Sequence, residues 1–230
     1  MPGVMARNLF HRVGDPRTRV DVLRDVSFEA PAGRLTAVVG PSGAGKTSLL
    51  HLLAGLDRPA DGSVWVDERP LRGLPELELT RLRRERIGLL LPAASILHTV
   101  TVRENVTLPL LIARRTPEAT TIDALLERVG LSDHAEDRAG ELGVADRQRT
   151  ALARAVAGGP SVLLADEPAG ELDADEGAAL LELLRDIAHE DGITVILFTR
   201  EADAAEAVAD HVISLDGGRV VEPAAAPLAA

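Results

Sequence analysis

Leu35-Thr36-Ala37-Val38-Val39 runs directly into Gly40-Pro41-Ser42-Gly43-Ala44-Gly45-Lys46-Thr47-Ser48, and this junction decides the fold. The first five residues are mostly apolar and β-branched, the pattern of a parallel strand buried on both faces. From Gly40 to Thr47 the spacing is that of a phosphate-binding loop, GxxxxGK[ST]. Ser48 to Leu56 then reads as a helix that ends before Asp57-Arg58-Pro59. Strand, glycine loop and helix together supply what a phosphate needs: backbone N–H groups, the positive end of a helix, and a hydroxyl, Thr47, able to ligate Mg²⁺.

The composition singles out the same loop. Of the 25 cationic residues 24 are Arg, and the one Lys is Lys46. A GC-rich genome explains the general loss of Lys. The survival of one in this loop reflects chemistry, because a compact ammonium fits between phosphates where a planar guanidinium does not. The chain of 230 residues carries a net charge of −11, with an isoelectric point near 5.0. Such a balance argues against a nucleic-acid partner, whose phosphates call for clustered positive charge. With no cysteine there is no disulfide, thiolate metal site or cysteine nucleophile. The N-terminus lacks an apolar signal core, and no stretch reaches the roughly 18–20 apolar residues of a membrane span. The expected location is therefore the cytoplasm, or a surface provided by a membrane-bound partner.

A second strand pattern, Ser161-Val162-Leu163-Leu164-Ala165, ends in Asp166-Glu167-Pro168. An acidic pair at the carboxyl end of a parallel strand lies at the ligand crevice of an open α/β sheet. There Asp166 is expected to hold the Mg²⁺ shell and Glu167 to polarise an attacking water, with Lys46 and Glu167 as the catalytic pair. Thr194 to Phe198 forms a third strand after a helix running roughly from Glu176 to His189, and His211–Leu215 with Arg219–Val221 forms a terminal hairpin around Asp216-Gly217-Gly218. Strands alternating with helices predict a doubly wound α/β core. A helix-rich segment over about 92–150 reads as an inserted subdomain, and residues 223–230 as a disordered tail.

Taken together, Val22-Leu23-Arg24-Asp25-Val26-Ser27-Phe28, the loop with its continuation to Val64, Thr101-Val102-Arg103-Glu104-Asn105-Val106, and Ala151 to Asp173 resemble the ATP-binding subunits of ABC transporters, of the type serving lipoprotein-release and macrolide-export permeases. The resemblance spans residues 5 to 222. It implies a P-loop NTPase core with a mixed, mostly parallel sheet, an N-terminal antiparallel β part and the helical insertion. Residues 1–222 form one domain on this reading, with its core in 1–91 and 151–222. It further implies ATP and Mg²⁺ as ligands, a transmembrane permease as partner, a place on the inner face of the membrane, and a head-to-tail homodimer or heterodimer. Each ATP then lies between one subunit's phosphate loop and its partner's signature segment. Gly40, Pro41, Ser42, Gly43, Ala44, Gly45, Lys46, Thr47 and Ser48 are the implied phosphate contacts, Thr47 and Asp166 the implied metal ligands, and Asp173 falls at the implied dimer seam.

Four loops depart from that family's pattern. Where LSGGQ is usual, Leu142-Gly143-Val144-Ala145-Asp146 stands here, adding bulk and a negative charge. Asp146 suits instead the N-cap of a helix starting near Arg147. Pro92 replaces the glutamine after Ile87–Leu91, and the one Gln of the chain, Gln148, lies elsewhere. The switch loop reads Thr199-Arg200-Glu201 in place of Thr-His-Asp, leaving Arg200 to reach a γ-phosphate as a permanent cation. Val13 takes the place of the adenine-stacking aromatic, with Phe10 and His11 nearby as substitutes. Three readings follow: a transporter motor working with an unlike ATPase subunit, a nucleotide-binding structural or regulatory subunit with little hydrolysis, and a soluble ATPase doing non-transport work. Arg81 to Arg86 is read as a solvated basic face or a contact for an acidic partner, Trp65 as a packed strand residue, and the six histidines show no metal-ligand spacing.

Overall fold

The computed structural model describes residues 2–15, 19–91 and 96–224. Among the described residues, two sheets are built from ten strands. Strands β1 (Pro2–Val13), β2 (Val20–Pro31), β4 (Asp61–Val66) and β5 (Arg69–Pro70) form an antiparallel sheet in the order β2-β1-β4-β5. The other sheet runs β10-β9-β3-β8-β7-β6, from β3 (Leu35–Val39), β6 (Ile87–Leu90), β7 (Val162–Asp166), β8 (Thr194–Thr199), β9 (His211–Asp216) and β10 (Arg219–Ala224). Five of its strands are parallel, and β10 returns antiparallel on β9. The mixed, mostly parallel sheet and the antiparallel N-terminal part are as the sequence implies. β10 runs on to Ala224, past the expected start of the tail at 223, and 225–230 lie outside the described residues.

Side-chain alternation divides the interior into layers. In β8, Ile196 and Phe198 face the antiparallel sheet together with helices α1 (Lys46–Leu53) and α2 (Glu76–Arg86). Val195 and Leu197 face the opposite layer, made by α5 (Val144–Val156), α6 (Ala174–Glu190) and α7 (Ala202–Val208). A period of two on a strand covered on both faces places alternate residues in different cores. Between them, α3 (Val102–Ile112), α4 (Ala119–Arg128) and α5 enclose a third apolar cluster around Val102, Val106, Leu126 and Leu131. Helix α3 starts at a capping box: Thr101 accepts the Glu104 N–H while Glu104 accepts the Thr101 N–H. Buried Asn105 bonds the N–H and C=O of Leu97, holding the segment before α3 in place. Helix α5 joins two cores, with Ala151 and Leu152 in one and Ala153 in the other, so residue 150 falls inside a continuous helix.

The register of the parallel sheet is what builds the site. Val39 of β3 pairs with Thr199 of β8, and Phe198 pairs with Asp166 of β7. Three strands thus end level, and the residues following them (Gly40 onward, Glu167 and Arg200) emerge at one edge, where open α/β sheets hold their ligands.

Candidate nucleotide site

The loop from Gly40 to Thr47 can fold only with glycine at its bends. A Cβ on Gly40 would lie 2.2 Å from the Leu215 carbonyl oxygen, and Gly45 takes φ +104° with Leu23 Cδ2 2.7 Å from any added Cβ. Gly45 is the N-cap of α1 and offers no side-chain cap. The helix therefore starts at Lys46, two residues before the expected Ser48, and its first-turn N–H groups have no acceptor within the helix. The hairpin strand β9 and its turn brace the loop from behind, with the Gly218 N–H bonded to the Ala44 carbonyl at 3.2 Å.

Lys46, Thr47, Asp166, Glu167 and Arg200 meet around one open cleft of about 520 Å³, together with Pro41, Ser42, Gly43, Gly45, Ser48 and Val22. Lys46 is only 7% exposed. Its ammonium donates to the carbonyls of Gly40 at 2.6 Å and Pro41 at 3.2 Å, and lies 3.4 Å from Glu167 Oε1. Thr47 Oγ1 stands 3.5 Å from Asp166 Oδ2. Burial raises the Asp166 carboxyl above its ordinary value, the charge of Glu167 adds to this, and Lys46 and Thr47 work against it. A carboxylate that is unstable as a bare anion is stabilised by a cation brought close to it. Glu167 sits at φ +45°, a region that costs a non-glycine residue about 1–2 kcal/mol. Its N–H bonds Phe198 O at 2.8 Å, and it takes the Arg200 N–H on Oε2 at 3.2 Å and Arg200 Nε on Oε1 at 3.3 Å.

A hydroxyl and a carboxylate within 3.5 Å of each other are the hard oxygen donors Mg²⁺ selects, and a glycine cradle beneath a near-buried ammonium fits a polyphosphate. Other expected residues fall differently. Val13 is half exposed at the end of β1 and does not line the cleft. It pairs with Val20, two residues along β2 from Val22, which does. His11 is buried and faces Asp57 at 3.4 Å. Asp146 is not an N-cap: Gly143 caps α5, and Asp146 lies in the first turn, where its carboxylate meets Arg149 at 3.4 Å. An extended Gly143 starts the helix earlier than the charge pattern suggests, and a carboxylate in the first turn is favoured by the helix dipole. Asp173 caps α6, accepting the Glu176 N–H at 2.9 Å. Pro92 lies outside the described residues. Val22 stands in a stretch that resembles the family and Leu215 in the expected hairpin, but no residue type or spacing marks either as part of the site.

A mostly parallel sheet ending in a glycine-lined phosphate loop and an acidic pair defines a P-loop nucleoside triphosphatase. The family model "ABC transporter" matches residues 23–170. The lipoprotein-releasing system ATP-binding protein LolD of Myxococcus xanthus is 40% identical over 94% of this chain and 97% of its own length. The methionine import ATP-binding protein MetN 1 of Rhodococcus jostii is 40% identical over 95% of this chain, which spans 65% of that relative's length. The dimeric ATP-binding cassette MJ0796, solved in a post-hydrolysis state bound to ADP and Pi, superposes with a TM-score of 0.87 over 96% of this chain and 97% of its own, at 29% identity. The chain belongs to the ABC transporter family, as an ATP-binding cassette. Cassettes of this family are ATPases that take ATP with Mg²⁺, dimerise, and work with transmembrane permeases. Among the described residues no helix is long and apolar enough to cross a membrane.

Proposed function

We propose that the cleft binds ATP with Mg²⁺ and that the chain is the ATP-hydrolysing subunit of an ABC transporter, impaired as a homodimer and more active opposite an unlike cassette subunit. One observation carries this reading: level strand ends bring Lys46, Thr47, Asp166, Glu167 and Arg200 around one cleft. Gly40 to Ser48 cradle the phosphates with backbone N–H groups, and Lys46 bridges the terminal ones. Thr47 and Asp166 hold the metal, which when bound neutralises phosphate charge. Glu167 accepts a hydrogen bond from the attacking water, and Arg200 faces the γ-phosphate. Val13, at the position where the family stacks an aromatic on adenine, offers the base no such stack. We take residues 1–222 as one ATPase domain with a helical insertion near 92–150, peripheral on the inner face of a membrane.

The unlike partner follows from α5. In a head-to-tail dimer the segment Leu142 to Asp146 meets the other subunit's triphosphate, and Asp146 brings a carboxylate to it. At a few ångströms such a pair repels by about 1–4 kcal/mol between aqueous and surface dielectrics. The partner's own signature serves this chain's intact phosphate loop. Engagement of Glu167 by Arg200 and Lys46 favours a second reading, in which the chain binds nucleotide but scarcely turns over.

The test is ATP hydrolysis by the purified chain, with Glu167→Gln as the blank. A rate equal to the blank with nucleotide still bound is the expected result. A rate well above it removes the case for an unlike partner.

A further inference from the structure

Three charged side chains meet at the mouth of the cleft, and one of them serves the other two. Glu167 Oε1 lies 3.4 Å from the Lys46 ammonium and 3.3 Å from Arg200 Nε, while Oε2 accepts the Arg200 backbone N–H at 3.2 Å. The glutamate backbone is held as well: its N–H bonds Phe198 O, and its carbonyl accepts the Gly170 N–H at 3.1 Å. Both oxygens of the carboxylate thus face protein cations and an amide. A group engaged in this way is poorly placed to hold a water. A terminal phosphate offers both cations a more highly charged acceptor than the carboxylate does.

Resting on the reading of the cleft as an ATP site, we propose that Arg200 is a positioning residue: it stows Glu167 until a γ-phosphate takes the guanidinium, and its contact with that phosphate, stronger than the clasp it replaces, makes the site prefer triphosphate over diphosphate. The β-phosphate of a diphosphate reaches Lys46 and leaves the Arg200–Glu167 clasp closed. The γ-phosphate opens it, freeing the carboxylate only when there is a bond to hydrolyse. The clasp joins residues 33 positions apart through the level ends of β7 and β8.

The experiment is calorimetric titration of the full chain with Mg·ADP and with an imido-bridged, non-hydrolysable ATP analogue. It covers the native protein, Arg200→Ala, Arg200→Lys, Glu167→Gln and the double variant Glu167→Gln/Arg200→Ala. Arg200→Ala is expected to lower the preference for triphosphate about tenfold, the worth of one charge-assisted hydrogen bond, with ADP affinity unchanged, and Arg200→Lys to restore part of it. Glu167→Gln is expected to tighten triphosphate binding about tenfold with Arg200 present and under about threefold without it, the non-additivity of a coupled pair. Equal losses for both nucleotides in Arg200→Ala, or an equal gain from Glu167→Gln in both backgrounds, overturn the clasp while leaving the nucleotide site standing. A native chain that binds neither nucleotide overturns both.

Discussion

Lys46 is the residue at which the sequence speaks most plainly, and the structure gives the reason in distances. The residue is almost wholly buried, and its ammonium is held by two loop carbonyls at 2.6 and 3.2 Å. A guanidinium has no room to satisfy its five donors in that space. Lys46→Arg, the change that codon bias has made nearly everywhere else in the chain, is therefore expected to weaken Mg·ATP binding by roughly 10- to 100-fold, from the loss of a buried charge-assisted contact. Calorimetry on the folded variant checks this, and retention of native affinity would remove the steric argument. Gly45→Ala is a harsher change at the same scale. It combines φ +104° with a 2.7 Å approach to Leu23, so loss of stability by about 1–3 kcal/mol is expected by thermal melting. The loop, the acidic pair and Arg200 are legible because each sits in a fixed spacing or at a strand end. The clasp between Arg200 and Glu167 is not, since no spacing reports a contact that depends on where two separate strands stop.

At the scale of elements, runs such as Leu35–Val39 and Thr194–Thr199 announce buried parallel strands, whereas helix starts are misplaced. The phosphate-loop helix begins at Lys46 and α5 at Val144 because glycines at 45 and 143 take non-helical conformations that only coordinates reveal. The boundary of the proposed helical insertion is hidden for a related reason: α5 packs on two cores at once, and a helix that faces both ways carries no seam in its sequence. A polar tie elsewhere fixes how α6 meets the sheet. Asp210 accepts the Leu35 N–H at 2.9 Å and meets His189 Nε2 at 2.9 Å, with Arg34 at 3.6 Å. Burial by itself would raise this carboxyl, but the bonds from His189 and Leu35 and the charges around it outweigh that and hold it below its ordinary value. A depressed carboxyl adds stability that is fully present above its unfolded pKa and is lost as pH falls through the folded one. Asp210→Ala should therefore cost about 1 kcal/mol at neutral pH, the worth of a partly buried hydrogen bond. The difference from the native chain should shrink once pH drops below the ordinary carboxylate range. Urea melts at pH 7 and pH 3 measure it, and a difference that is constant with pH would show that Asp210 acts through packing.

For the whole molecule, the question is whether two identical chains can close on ATP. Each carries −11, so a homodimer brings −22 together (2 × −11) before any nucleotide is counted. Such repulsion is long-ranged and falls off within about 8 Å at physiological ionic strength, so it weakens as salt rises. Asp146 adds a local term at the proposed seam that salt screens less, because the opposing phosphates would lie within a few ångströms of it. The two contributions separate experimentally. In the Glu167→Gln background, where ATP is not consumed, light scattering with Mg·ATP should show a mostly monomeric native signature at low salt and only modest association at high salt. Asp146→Asn should strengthen ATP-dependent association by about tenfold or more at either salt concentration, since it removes one charge at each of two seams without touching the phosphate loop. Replacing Val144 and Ala145 by glycine as well should add further association, because it lets the α5 N–H groups approach the phosphates. If Asp146→Asn leaves association unchanged while salt alone drives it, global charge governs the homodimer, and the unlike partner is needed for its charge. If association rises with Asp146→Asn and hydrolysis then appears in the Glu167 chain, the first turn of α5 is what sends this cassette to a different subunit.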